Sequence, residues 1–165
     1  MTAPAGPDWT GPDDDRIAAV RPFGYRHDDP IVERIGDRDL FLGNGPAAED
    51  GTGAADRSFA AVLSLTRDRR PATTAHRPLT DGPEADWAPF AAAADDACRL
   101  VGDESLLVHC AHGVSRSAII CAVALSVTER RGLRECITEV QAARPPAVPH
   151  PRLHELAVTY VAAEK

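Results

Sequence analysis

Apolar residues along this chain fall in short blocks, and the spacing inside each block decides which element it can form. "DLFLG" at 39–43, "FAAVLSLT" at 59–66 and "SLLVH" at 105–109 are brief, nearly continuous apolar runs. Runs of this length bounded by turn signals predict strands buried on both faces. Asn44-Gly45-Pro46 supplies the turn that stops the first of them. A further brief strand is expected at 73–78, within the loop "RDRRPATTAHRPLTDGP". Other blocks follow the helical period. Trp87, Phe90, Ala94 and Cys98 share one face of a helix that Asp86 caps and that runs to about Leu100. An apolar helix is expected from Ser115 to about Arg131, ending near Gly132, followed by a short helix carrying Leu133, Ile137 and Val140. After "RPPAVPHP", Pro151 suits the first helical position behind His150, and Leu153, Leu156, Ala157, Tyr160 and Val161 form one stripe.

Strands interleaved with helices, without an internal repeat, predict an α/β protein with a central sheet wrapped by helices. The 165 residues suffice for one domain with a sizeable core and not for two. Residues 1–16 are rich in Pro, Gly and Asp and read as a disordered tail, which leaves 17–165 as the domain.

Composition narrows the function classes. Hydrophobic residues make up 44% and charged residues 26%, as in an ordinary water-soluble domain. The longest apolar run, "AIICAVAL", is far too short to span a bilayer, and no secretory pattern opens the sequence. Four cysteines form neither a disulfide framework nor a CxxC metal pattern, so a reducing cytoplasm is the expected setting. Net charge is −7, Lys165 is the single lysine, and 16 of the 25 acids are aspartate. Such a surface repels polyanions, so neither nucleic acid nor an anionic membrane is an expected partner. The acidic, lysine-poor composition fits salt adaptation and GC-rich codon usage equally well.

One stretch is not explained by packing. In "LLVHCAHGVSRSA" at 106–118 an apolar strand ends in His109-Cys110, a loop of Ala111, His112, Gly113, Val114 and Ser115 follows, and then come Arg116 and Ser117. Strand, loop and helix place this loop at the carboxyl end of a buried strand, where α/β sheets bind ligands. Helix amides carry partial positive charge there, Gly113 lets the loop curl around an anion, and Arg116 adds a fork for two phosphate oxygens. The same donors stabilise a thiolate at Cys110, below an anion and aligned for in-line attack on phosphorus. A leaving alkoxide or phenoxide needs a proton, and "LTDGPEADW" offers Asp81, Glu84 and Asp86. Asp81 is the best placed, since Asp81-Gly82-Pro83 is a turn able to present its side chain, while Asp86 suits a helix cap.

"HCAHGVSRS" resembles the signature of the cysteine-dependent protein tyrosine phosphatases, HCxxGxxR followed by Ser or Thr, and its "GVSRS" ending is similar to the dual-specificity branch. The resemblance covers most of residues 35–162, including "DLFLG", "FAAVLSLT", Asp81 about thirty residues before the cysteine, and "ARPPAVPHPRLHEL" where the family has RPxxxPN. It implies a single dual-specificity phosphatase-like domain whose mostly parallel, mixed sheet has four or five strands. It further implies that Cys110 is the nucleophile, that Arg116 and the backbone of residues 111–115 bind phosphate, and that Asp81 is first acid and then base. Ser117 would hydrogen-bond the departing thiolate, and His109 would order the loop and lower the cysteine pKa. The expected substrate is a phosphorylated protein or peptide carrying phosphotyrosine or phosphoserine/threonine, with no metal or organic cofactor. Without long insertions the site should be shallow and permissive, and the loop lacks the lysines of the phosphoinositide phosphatases.

Three other functions fit part of the pattern, and one of them, sulfur transfer or arsenate reduction, also uses a Cys-x5-Arg loop but does not explain Gly113, Ser117 and Asp81 together. The HCxHG pattern made by His112 also occurs in RNA 5′-triphosphatases of the superfamily, but Ser115-Arg116-Ser117 and the acidic chain do not suit RNA. A phosphate-recognition module without turnover usually lacks the cysteine, arginine or acid, all present here. His150 stands where the family has Asn and is expected to affect only a helix cap. Cys98 and Cys121 are read as core residues, and Arg67–Arg70 as a solvated loop.

Overall fold

The computed structural model describes residues 30–49 and 59–164; the tail expected at 1–16 lies outside them. Five strands form one sheet: β1 (Val32–Arg34), β2 (Leu40–Gly43), β3 (Ala61–Ser64), β4 (Ala75–His76) and β5 (Leu106–His109), in the order β1-β2-β5-β3-β4. β2, β5, β3 and β4 run parallel, and β1 is antiparallel to β2. The described residues also form four α-helices: α1 (Trp87–Leu100), α2 (Arg116–Glu129), α3 (Leu133–Ala143) and α4 (Pro151–Glu164).

The three central strands are buried on both faces because their apolar runs are unbroken, and the pleat sends alternate side chains to different cores. Leu40, Leu42, Leu63, Leu106 and Val108 join the larger core with residues from all four helices. Phe41, Val62 and Leu107 face a smaller cluster with Ala47 and Ala48 from the short 3-10 turn Gly45–Ala48, where Asn44 accepts from the Ala47 amide. α2 lies at the centre of the larger core. Ala118 to Leu125 are buried without a break, since the helix is covered by the sheet and by α1, α3 and α4. Cutting Ile120 to Ala there would cost about 2–5 kcal/mol.

Four details differ from the sequence reading. β1 was not foreseen, since three residues with an exposed Arg34 give no pattern. α2 ends on Arg130 in the left-handed conformation (φ 55°) rather than near Gly132, which is the extended N-cap of α3. Trp87 is 42% exposed rather than buried, its ring leaning on Tyr160, and the buried face of α1 is Phe90, Ala93, Ala94 and Ala97. Asp86 holds the N-cap position of α1, but its side chain makes no capping hydrogen bond.

At the end of the sheet opposite Cys110, Arg38 and Arg131 share Glu129 and Glu139, tying the β1–β2 turn to the end of α2 and to α3. Two cations against two acids in a half-exposed network hold both guanidiniums firmly charged.

Candidate active site

The register brings the carboxyl ends of three strands level: Gly43 and Ser64 both pair with His109. Cys110 is the next residue, and the loop from it ends where α2 begins at Arg116. Gly113 sits at φ +68°, and a Cβ there would come within 3.1 Å of the Gly43 carbonyl oxygen, so conformation and space both require glycine.

Each loop carbonyl from 110 to 115 is held by a donor. His109 Nδ1 reaches Cys110 O (3.3 Å), the Gly45 amide reaches Ala111 O (3.0 Å), and the Val148 amide reaches Val114 O (2.8 Å). Arg144 serves two, from Nη2 to His112 O at 3.2 Å and from Nε to Gly113 O at 3.3 Å. Ser115 O accepts the first helical bond, from the Ile119 amide. In a planar trans peptide the N–H points opposite to the C=O. Carbonyls drawn outward therefore turn amides inward, and that of Gly113 hydrogen-bonds the Cys110 sulfur, as does the Ser117 amide in the first turn of α2.

Cys110 is 2% exposed. Burial alone would raise its pKa, but the Arg116 charge, the Ser117 hydroxyl 3.2 Å from Sγ and the two amides outweigh it, so the thiol lies below the ordinary cysteine value. Arg116 is held by the carbonyls of Leu79 (3.3 Å) and Leu65 (3.5 Å) through Nη1. Its Nε is buried and has no hydrogen-bond partner among the described residues, which leaves a charged donor available to an anion at the loop.

His109 belongs to a chain of hydrogen bonds whose direction is forced at both ends. The Arg70 amide must donate to Thr73 Oγ1 (3.0 Å), and Cys110 O must accept from His109 Nδ1. Thr73 Oγ1 then donates to Ser64 Oγ (2.6 Å), which donates to His109 Nε2 (2.5 Å). Burial, aided by the charges of Arg70 and Arg116, pushes the His109 pKa down to about 4, against its bond to Cys110 and the charge of Glu49. The imidazole is thus neutral near pH 7. It orders the Cys110 carbonyl but brings no positive charge to the thiolate, which modifies the expectation from sequence.

Of the three acids considered, Asp81 lines the cleft beside Cys110 and Arg116. Ser115 Oγ donates to Asp81 Oδ1 at 2.7 Å. His112, Val114 and the segment Val148 to Pro151 complete a cleft of about 220 Å³. That is below the roughly 300–1,000 Å³ of most small-molecule pockets and suits a phosphorylated side chain. His150 does more than cap: Nδ1 accepts from the Arg152 amide (3.1 Å), its own amide donates to Ser115 Oγ (2.9 Å), and the residue lines the cleft.

Sequence reasoning missed Arg144, Ser64 and Thr73. In sequence Arg144 is one arginine among seventeen, and only its burial, at 6% exposure, sets it apart. Cys98 and Cys121 lie outside the cleft. Burial raises both thiols, Cys98 to about 11. In the Arg67–Arg70 segment, Arg67 and Arg69 are exposed while Arg70 pairs with Glu49 at 2.8 Å.

No model of a protein family and no curated protein matches the chain. Solved structures do. Human DUSP28 is 26% identical, with a TM-score of 0.66 over 82% of this chain and 97% of that one. A mouse putative dual specificity phosphatase complexed with zinc tungstate is 27% identical, with a TM-score of 0.65 over 84% and 91% of the two chains. The human tyrosine phosphatase-like serine/threonine/tyrosine-interacting protein, at 17% identity and TM-score 0.63 over 80% and 96%, shares the fold. In strand order and fold the chain is similar to the dual-specificity branch of the cysteine-dependent protein tyrosine phosphatases.

Proposed function

We propose that this protein hydrolyses phosphate monoesters on phosphorylated proteins or peptides, taking phosphotyrosine and phosphoserine/threonine, through a cysteinyl-phosphate intermediate. The observation that carries the reading is the sulfur itself: Cys110 Sγ lies under inward amides, 3.2 Å from Ser117 Oγ and within the field of Arg116. Such a set stabilises a thiolate and a phosphoryl transition state with the same donors.

In the first step the thiolate attacks phosphorus, the P–S bond forms as the P–O ester bond breaks, and Asp81 protonates the departing oxygen. Arg116 and the loop amides hold the equatorial oxygens. In the second step water attacks phosphorus, Asp81 takes its proton, and the P–S bond breaks to return a thiolate that Ser117 hydrogen-bonds. Val148 and Pro149 give the cleft an apolar wall, which suits both aryl and alkyl phosphoamino acids. The domain that performs this is 17–165. Cys110, Arg116 and Asp81 meeting in one cleft favours turnover over phosphate recognition alone.

Purified protein in EDTA should hydrolyse an aryl phosphate and phosphotyrosyl and phosphothreonyl peptides, and Cys110→Ser should bring turnover to background while still binding inorganic phosphate. Activity that survives Cys110→Ser rejects the proposal.

A further inference from the structure

Ser115 Oγ makes two hydrogen bonds. It accepts from the backbone N–H of His150 at 2.9 Å and donates to Asp81 Oδ1 at 2.7 Å. The Asp81 carboxylate accepts through Oδ1, which leaves Oδ2 to take up the mobile proton of the acid form. Ser115 is 8% exposed and is anchored through its main chain at the start of α2, whereas Asp81 is exposed and is joined to the loop through the Ser115 hydroxyl.

We infer that Ser115 is a positioning residue for the general acid: its hydroxyl, oriented by the His150 amide, holds Asp81 over the phosphate loop and assigns the transferred proton to Oδ2. This rests on the reading of Asp81 as the acid given above. In the step itself the Oδ2–H bond breaks as the leaving-group oxygen gains that proton and the P–O bond opens. Asp81 is left as a carboxylate that still accepts from Ser115 through Oδ1, and it is then free to take a proton from water on Oδ2. A charged carboxylate accepting from a fixed hydroxyl costs no reorganisation in either direction. The contact also makes the acid turn depend on the entry to α4, because His150 supplies the amide that fixes which way the Ser115 proton points.

The test is a leaving-group series on Ser115→Ala, Asp81→Asn and the double variant. Ser115→Ala should lower kcat/KM about tenfold for phenyl phosphate and alkyl phosphates but only about twofold for aryl phosphates with strongly activated leaving groups. In the Asp81→Asn background it should cost less than about twofold on any of them. Ser115→Thr, which keeps a hydroxyl, should restore the wild-type dependence on leaving group. A loss equal for all leaving groups, or equal with and without the Asp81 carboxylate, overturns the inference. Should Ser115→Ala not fold, Ser115→Cys, a weak donor in the same place, carries the same expectation. If Asp81→Asn itself shows no leaving-group dependence, the acid assignment falls and this inference with it. Loss of Cys110-dependent turnover would show up separately, in the Cys110→Ser comparison.

Discussion

Arg144 Nε donates to the carbonyl oxygen of Gly113 at 3.3 Å, across 31 residues of sequence, while Nη2 of the same side chain holds His112 O. The side chain is buried and touches the loop from behind, opposite the amides that face the sulfur. Hydrogen bonds from a charged donor are each worth about 1.5–3 kcal/mol, so losing two should loosen the loop measurably. Arg144→Met keeps apolar bulk and removes both bonds. It should weaken binding of inorganic phosphate or tungstate by tenfold or more, read by calorimetric titration, with kcat/KM falling alongside. Unchanged oxyanion affinity would mean the loop keeps its shape without this clamp.

The four cysteines should separate cleanly by reactivity. Cys110 lies below the ordinary thiol value, while burial raises Cys98, Cys121 and Cys136. Iodoacetate at pH 6.5 should therefore label Cys110 alone, as read by peptide mass spectrometry, and phosphate should protect it. Arg116→Ala should move the alkylation midpoint upward, because the largest attraction opposing burial is then gone. Labelling of Cys98 before Cys110 would contradict the electrostatics of the loop.

Ser117 is buried and its hydroxyl is 3.2 Å from Cys110 Sγ, and in the proposed mechanism it stabilises the thiolate both at rest and as the leaving group of the second step. Ser117→Ala should slow breakdown of the phosphoenzyme more than its formation. A rapid-quench experiment should then show a burst close to one equivalent of phenol and a steady rate lowered by tenfold or more. A steady rate lowered without a burst would place the loss in the first step.

His109 ties stability to pH with a definite sign. Its ordinary value is 6.5, and in the folded protein burial brings it to about 4. Below 6.5 the unfolded chain binds a proton that the native state refuses until about 4. Stability from this group is therefore full above 6.5 and is lost as pH falls through that window. The shift corresponds to about 3 kcal/mol. Denaturant melts at pH 7.5 and 4.5 should show a larger drop for the native protein than for His109→Asn, which is less stable overall but flatter in pH. Parallel losses in both would remove His109 from the acid response.

What could be read in advance was what is local in sequence. The run from Leu106 to Ser117 contains its own strand, turn and helix start, so the place of Cys110, Gly113 and Arg116 followed from adjacent residues. Asp81 was legible as a turn aspartate, though its contact with Ser115 was not. The end of α2 misled because glycine takes the left-handed conformation most cheaply, yet the chain puts Arg130 there and sends Gly132 straight into the next helix. Trp87 misled because a helical stripe says which residues share a face, not how far the neighbouring helix extends to cover it. Arg144, Thr73 and Ser64 are polar residues whose importance comes from burial against distant partners, and no window of neighbouring residues carries that information.

The donors that turn the phosphate loop's carbonyls outward come from Gly45, His109, Arg144 and Val148, which together span more than half the chain. During synthesis, the strand bearing Cys110 leaves the ribosome well before residues 144–148 do. Until they arrive, three loop carbonyls lack the donors that draw them outward, and the amides behind them are not held toward the sulfur. The nascent chain should thus carry a less acidic thiol than the folded protein, in which the docked last quarter of the polypeptide fixes the loop around Cys110.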